Sequence, residues 1–305
     1  MVKRVIVALV VIAALGAWQW NDMWAWMHDR DIANLVGNYQ HQVNELSDGT
    51  KEQMLADAHA YNQWLAGGGV HTLNATLDAV GAADPDTPEF REYASLLRTD
   101  GTSLIGYLSL PTIDTQSSVV HGTSPQTLSA HAGHLFGASL PVGGESTHAV
   151  IAAHSGWSRG TLFNRLEKVE VGERFYINVL GEQFWYEVES RTPVLPDAAS
   201  PLLEIQPGRD LVSLITCFPT HINTHRLVVT GFRVEGPDLP VTGGYGGGMF
   251  YDAGIPWWAV IFGGGSLGIM SLVFWPKPIK AKSPIEVVDG AAPSLAKIRD
   301  VRHAH

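Results

Sequence analysis

Leu211-Val212-Ser213-Leu214-Ile215-Thr216-Cys217-Phe218-Pro219, followed closely by Asn223-Thr224-His225-Arg226-Leu227-Val228-Val229, is the stretch whose reading decides the fold. Residues 211–216 form a short apolar, β-branched run, the pattern of a buried strand. Cys217, the only cysteine in the chain, stands at its downstream end. Pro219 has no N–H to donate, so the ladder stops there. A second strand begins near Thr224, with Arg226 at its mouth. A loop this short favours an antiparallel pair, which sets Cys217 beside Arg226 at one rim of a sheet.

Working outward, the same texture recurs. Short β-type runs fall at 104–110, 149–153, 174–179, 184–188, 211–216 and 227–229, punctuated by Gly and Pro. Many short strands at this spacing predict a closed barrel or a sandwich. The fold class is therefore mainly β.

A cysteine nucleophile reacts as its thiolate, and it needs a proton carrier and a group to hold an oxyanion. Arg226 is always charged and carries several N–H donors in a planar fork, so beside Cys217 it favours the thiolate and steadies negative charge on a carbonyl. Among 13 histidines, His154 has the best local setting. It ends an apolar run, and Ser155-Gly156 turns directly after it, which exposes the ring at a barrel rim. Thr216 alternates away from Cys217, and His225 away from Arg226, so both are expected to support the site from behind. A competing constellation is a metal site, since His131 and His134 are three apart and His221 and His225 four apart. There is no His-Glu-x-x-His and no helical pattern around either pair, so no metal and no cofactor is expected. A papain-like protease is excluded by the absence of its local cysteine motif.

Composition bounds the rest. The chain has 305 residues, 16% of them charged, with a formal net charge of −10, which argues against a nucleic-acid partner. A lone cysteine excludes an intramolecular disulfide. Lys3-Arg4 precedes an uncharged run over residues 5–20, and Trp18, Trp20, Trp24 and Trp26 follow like an interfacial belt. That predicts an uncleaved anchor, although Ala14-Leu15-Gly16 has the small residues of a cleavage site. Residues 29–66 read as helix. Ile32, Leu35, Val36, Tyr39, Val43 and Leu46 mark one stripe, Ser47-Asp48-Gly49 breaks it, and Thr50-Lys51-Glu52-Gln53 has the form of a capping box. A second stripe of Met54, Leu55, Ala58, Tyr61 and Leu65 ends at Gly67-Gly68-Gly69. Residues 255–275 are uncharged, and about 20 residues cross a bilayer. Lys277, Lys280 and Lys282 follow, so both termini are expected in the cytoplasm and the domain between them outside.

The boundaries that follow are 1–27 for the N-terminal signal or anchor, 28–98 for a helical hairpin and lid segment, and 99–236 for the β domain. A Gly-rich linker follows over 237–254, then a transmembrane helix over 255–275 and a cytoplasmic tail over 276–305.

Ser213-Leu214-Ile215-Thr216-Cys217, with Arg226 nine residues after the cysteine, resembles the signature of the sortases, cysteine transpeptidases of bacterial surfaces. Asn223-Thr224-His225-Arg226-Leu227 is similar to the setting in class C, the pilus-assembling sortases. The likeness continues through Gly106-Tyr107-Leu108-Ser109-Leu110-Pro111, Val120-His121-Gly122-Thr123-Ser124 and Gly133-His134-Leu135. It includes Ser139-Leu140-Pro141-Val142-Gly143-Gly144-Glu145 and ends in His148-Ala149-Val150-Ile151-Ala152-Ala153-His154-Ser155-Gly156, covering roughly residues 60–235.

The resemblance implies a sortase-type closed barrel of about eight strands, with N-terminal helices and a lid. It implies His154, Cys217 and Arg226 as catalytic residues. Class C lids are built on Asp-Pro followed by an aromatic. Asp84-Pro85 matches, Asp86 stands where the aromatic belongs, and Phe90 is the nearest downstream ring. Asp84 is expected to latch onto Arg226 with a looser cover than usual, in which either Phe90 folds back as a substitute cap or the lid shields the thiol poorly; the alternative is an ordinary acidic surface loop. The implied substrate is a Leu-Pro-x-Thr-Gly-type sorting signal, carried by pilins or surface proteins and joined to a pilin lysine amine. The neighbouring expectation is a sortase that attaches single proteins to cell-wall peptide. A non-enzymatic anchored surface protein is the expectation of a different class. The implied location is a Gram-positive-type cell membrane.

Overall fold

The computed structural model of the chain describes residues 2–69, 86–99, 102–156, 162–237 and 254–275. Helices α1 (Val2–Trp18), α2 (Trp20–Glu45), α3 (Asp48–Ala66) and α4 (Pro88–Ser95) come first. They are followed by β1 (Leu104–Leu110), β2 (Thr115–His121), α5 (Pro125–Leu128), β3 (Ala132–His134) and β4 (Thr147–Ala152). Then come β5 (Arg174–Val179), β6 (Glu182–Val194), β7 (Asp210–Phe218), β8 (His225–Val234) and α6 (Trp257–Phe274). Among the described residues, eight strands close into a barrel in the order β1-β2-β3-β4-β7-β8-β6-β5. The β2–β3 and β4–β7 contacts are parallel and the others antiparallel. This is the closed barrel with preceding helices that the sequence predicts.

Strand alternation sorts the side chains into two cores. Val212 and Leu214 on β7, with Leu227 and Val229 on β8, point into the main core. Val150, Ile215 and Val228 point outward and are covered by Ala199 and Leu203, from the 3₁₀ turns Pro196–Ala198 and Ser200–Leu203 and the residue between them. A fully buried Val, Leu or Ile contributes about 1.5–3 kcal/mol, so this small outer cluster holds the turns firmly against the sheet.

Several strands run further than their apolar runs. β6 continues past Val188 to Val194 and contains Pro193. Beyond Glu187 it pairs with β8 and no longer with β5, which leaves one edge open, the setting in which a strand tolerates proline. β2 and β3 carry no apolar signature. β2 buries Ser117 and Ser118, and β3 has only three residues.

Helix α2 lies on the barrel through Ile32, Val36, Tyr39 and Val43, on the predicted stripe. The Tyr39 hydroxyl donates to Ile105 O (3.0 Å) and accepts from Leu180 N (2.8 Å), which fixes the helix to β1 and to the β5–β6 turn. Two expectations are corrected. Helix α2 starts at Trp20 rather than near residue 29, because Trp24, Trp26 and Arg30 continue the helical run without a breaker. The cap of α3 is Ser47, not Thr50. Ser47 Oγ accepts from Thr50 N at 3.2 Å, so Asp48 and Gly49 are already helical.

α3 also presents a polar residue at the centre of its packed face. Asn62 is 2% exposed and makes a reciprocal pair with Leu140, Nδ2 to Leu140 O at 2.9 Å and Leu140 N to Oδ1 at 2.7 Å.

Trp257–Phe274 is long and apolar enough to cross a membrane, while Val2–Trp18 passes that test only jointly with α2, from which it bends by 46°. α1 and α6 touch. A Cβ on Gly16 would lie 3.2 Å from the Phe262 ring, and one on Gly265 would lie 2.9 Å from Leu15. Trp26 Nε1 donates to Gly254 O at 3.0 Å, next to the start of α6.

Candidate active site

The register of the central strands sets the site. Cys217 on β7 is the direct partner of Arg226 on β8, and Arg226 in turn faces Val194 on β6. β4 runs parallel to β7, with Ala152 beside Ile215. Continuing that register places Ala153 beside Thr216 and His154 beside Cys217. Ala153 belongs to the inner core, so His154 faces outward, as Cys217 and Arg226 do. Cys217 and Arg226 thus pair across β7 and β8 on the outer face at the rim, and His154 follows two residues after the end of the neighbouring strand β4. The outer cluster around Ile215 and Val228 lies next along the same face.

Arg226 is only 7% exposed. Its Nη1 donates to His225 O at 3.1 Å and to Asn223 O at 3.4 Å, which orients the fork from its own loop. Cys217 is half-buried and free of any disulfide. Burial lowers the His154 pKa below the ordinary histidine value, which favours the neutral ring. A neutral imidazole at this place is able to take up or return a proton, and a fixed guanidinium is able to hold an oxyanion.

Thr216 is buried on the inner face and donates through Oγ1 to Ala153 O at 2.7 Å, tying the end of β4 to β7. His225 pairs with Phe218 and interacts with Thr224 Oγ1 at 2.9 Å. It lines a cleft of about 420 Å³ with Pro193, Phe218, Pro219, Ile222 and Thr224. Phe90, on α4, packs 5.5 Å from the Tyr93 ring and 5.4 Å from Phe136, against Gly122. Gly122 and Phe136 follow the ends of β2 and β3, which run antiparallel to β4, whereas Cys217 lies beyond the end of β4. Asp84 and Pro85 lie outside the described residues.

The two histidine pairs have separate engagements. His131 Nδ1 interacts with Ser118 Oγ at 2.8 Å. His134 Nδ1 is 2.7 Å from the Tyr93 hydroxyl, and its Nε2 is 2.8 Å from Ser139 O. Among the described residues, no three His, Cys, Asp or Glu side chains gather as metal ligands.

Two features, one beside Cys217 and one at the far end of β4, had no sequence signal beyond their residue type. Ser155 Oγ donates to the Cys217 carbonyl at 2.8 Å. His148, on the outer face of β4, is held neutral by burial and bridges Glu204 O (2.9 Å) and Ser213 Oγ (2.8 Å), with Ser213 2.8 Å from Thr230 Oγ1.

A family model described as the Sortase domain matches residues 108–234. The chain is 38% identical to sortase C-1 of Actinomyces oris, covering 61% of this chain and 99% of that one, with a TM-score of 0.55. It is 35% identical to Streptococcus pneumoniae sortase C, whose structure is described in terms of catalysis and pilin substrate specificity, over 67% of this chain and 97% of that one, with a TM-score of 0.57. It is also 27% identical to sortase A of Bacillus anthracis over 156 residues, which are 50% of this chain and 70% of that protein. Class C enzymes are thus among its structural neighbours. Relatives more than a third identical, spanned almost end to end, settle the family: this chain belongs to the sortases, the cysteine transpeptidases.

Proposed function

We propose that this sortase acts in class C fashion, cutting a Leu-Pro-x-Thr-Gly-type sorting signal and joining pilin subunits. In this reading the Cys217 thiol gives its proton to His154 as Sγ attacks the Thr carbonyl, and Arg226 holds the oxyanion that forms. The Thr–Gly bond then breaks, His154 gives a proton to the departing Gly amine, and a thioester remains on Cys217. A lysine amine of the next subunit attacks the thioester, loses a proton to His154, and takes the acyl group as an isopeptide. Cys217 leaves as the thiolate and takes that proton back from His154. The observation that carries this reading is the direct pairing of Cys217 with Arg226, with His154 two residues past the end of the neighbouring strand β4. The pilin specificity discussed for the Streptococcus pneumoniae relative supports the choice of substrate.

Sortases are membrane-associated in Gram-positive bacteria, and α6 is compatible with that placement. We place both termini in the cytoplasm, on the strength of Lys3-Arg4 before the first apolar run and Lys277, Lys280 and Lys282 after the second. The experiment that tests the acceptor is a competition. The acyl-enzyme is offered a lysine-bearing pilin domain and a cell-wall peptide amine at equal concentration. The proposal expects the pilin lysine to take the acyl group, and preferential transfer to the wall peptide would make this an anchoring sortase.

A further inference from the structure

The ladder between β4 and β7 outlasts β4. Ala153 N still donates to Ile215 O at 3.1 Å, one residue past the strand. Donors along one strand of a parallel ladder recur at every second residue. The next donor would be the N–H of Ser155, directed at the carbonyl of Cys217. The chain instead turns away at Ser155-Gly156, where Gly156 takes φ +73° and a Cβ would lie 2.8 Å from His221 Nδ1. The acceptor is met by the side chain of the same residue, since Ser155 Oγ donates to Cys217 O at 2.8 Å.

Neighbouring bonds make this tie part of a clamp. Thr216 Oγ1 holds Ala153 O at 2.7 Å, and Phe163 N holds His154 O at 3.1 Å. Ser155 Oγ lies 3.4 Å from Thr220 Oγ1, which donates to Glu167 Oε2 at 3.2 Å. The backbone around His154 is therefore fixed on both sides. Ser155 is the one of these ties that reaches the nucleophile residue itself.

We propose that Ser155 is a positioning residue for the transfer reaction, its hydroxyl joining the His154 loop to the Cys217 carbonyl and so setting the separation of the two side chains. This rests on the assignment of Cys217 and His154 as nucleophile and proton carrier. Displacements of about 1 Å in such a pair are enough to cost on the order of a hundredfold in rate. Loss of one neutral hydroxyl at a half-buried turn leaves the barrel itself intact.

The test uses the full-length chain in detergent as wild type, Ser155→Ala and Ser155→Thr. One readout is single-turnover acylation by a Leu-Pro-x-Thr-Gly-type peptide, followed over peptide concentration. The other is alkylation of Cys217 by iodoacetamide over roughly pH 5 to 9, which spans the ordinary His and Cys titrations and needs no substrate. Ser155→Ala is expected to acylate about tenfold or more slowly, with the half-saturating peptide concentration within about twofold. Its alkylation profile is expected to shift along the pH axis, because the spacing between the thiol and the imidazole then changes. Ser155→Thr, which keeps the hydroxyl, is expected to retain both. Wild-type behaviour of Ser155→Ala in both readouts would overturn the proposal, and so would a Ser155→Thr variant as impaired as Ser155→Ala. If the peptide acylates none of the three proteins, the substrate reading fails separately and the alkylation profiles decide the clamp. A shift in Ser155→Ala that Ser155→Thr restores supports it, and an unchanged profile rejects it.

Discussion

Cys217 and Arg226 stand directly opposite each other across the β7–β8 ladder, and the guanidinium is anchored to the carbonyls of His225 and Asn223 in the connecting loop. The fork is therefore held by its own loop. Replacement by lysine keeps the charge but loses the planar set of donors. Arg226→Lys is expected to lower kcat on the order of a hundredfold or more, as removal of an oxyanion donor does. Steady-state kinetics within a few-fold of wild type would reduce Arg226 to a structural cation.

Asn62 makes the junction between α3 and the barrel specific. Its amide satisfies both backbone groups of Leu140, in a setting with almost no access to water. Asn62→Leu fills the volume but strands a buried N–H and a buried C=O, each costing about 1–3 kcal/mol. A marked drop in the chemical-denaturation midpoint is expected. An unchanged midpoint would show that α3 contributes little to the stability of the barrel.

Two buried histidines predict acid sensitivity. Burial lowers His121 to about 3, with neighbouring His134 and Arg98 adding to the effect, and lowers His134 to about 4. Both values lie below the unfolded value near 6.5, so the folded state holds these rings neutral while the unfolded chain takes up protons. Their contribution is fully present above about pH 6.5 and is lost as pH falls toward 4 and then 3. Each group adds a slope of at most about 1.4 kcal/mol per pH unit in that window. His121 packs edge-on against Tyr93, 4.8 Å between centroids, so His121→Phe preserves a ring there. Melting curves from pH 7 to 4 should show a shallower decline for His121→Phe. Parallel curves for the two proteins would mean that the His121 ring is not kept neutral in the fold.

The proposed two-anchor topology makes a prediction of its own. In intact cells, tags at either terminus should resist external protease, while a cleavage site placed in the 243–248 linker should be cut. Cleavage of a C-terminal tag would overturn that arrangement.

What the sequence made legible was whatever one local rule decided. The Cys217–Arg226 register followed from an apolar run, a proline stop and a short loop. The end of an apolar run before Ser-Gly singled out His154 among the histidines, but its catalytic assignment came from the sortase resemblance. β2 and β3 escaped because their burial comes from partners distant in the chain. Ser117 and Ser118 are buried by the closed barrel and not by any apolar pattern of their own. Asn62 sits on an otherwise apolar stripe, and its partner is 78 residues away. The Ser155 tie spans 62 residues, so no spacing within one element predicts it. The cap of α3 was misplaced by a local ambiguity, since Ser47 and Thr50 both suit a cap and only the backbone decides between them.

The central claim is that Cys217 carries the acyl group. The most direct measurement is intact-protein mass spectrometry after incubation with a Leu-Pro-x-Thr-Gly-type peptide. The account predicts an adduct of the acyl fragment on wild type, released by hydroxylamine as a thioester is, and absent from Cys217→Ala. Turnover of the peptide by Cys217→Ala at the wild-type rate, with no adduct on either protein, would contradict it.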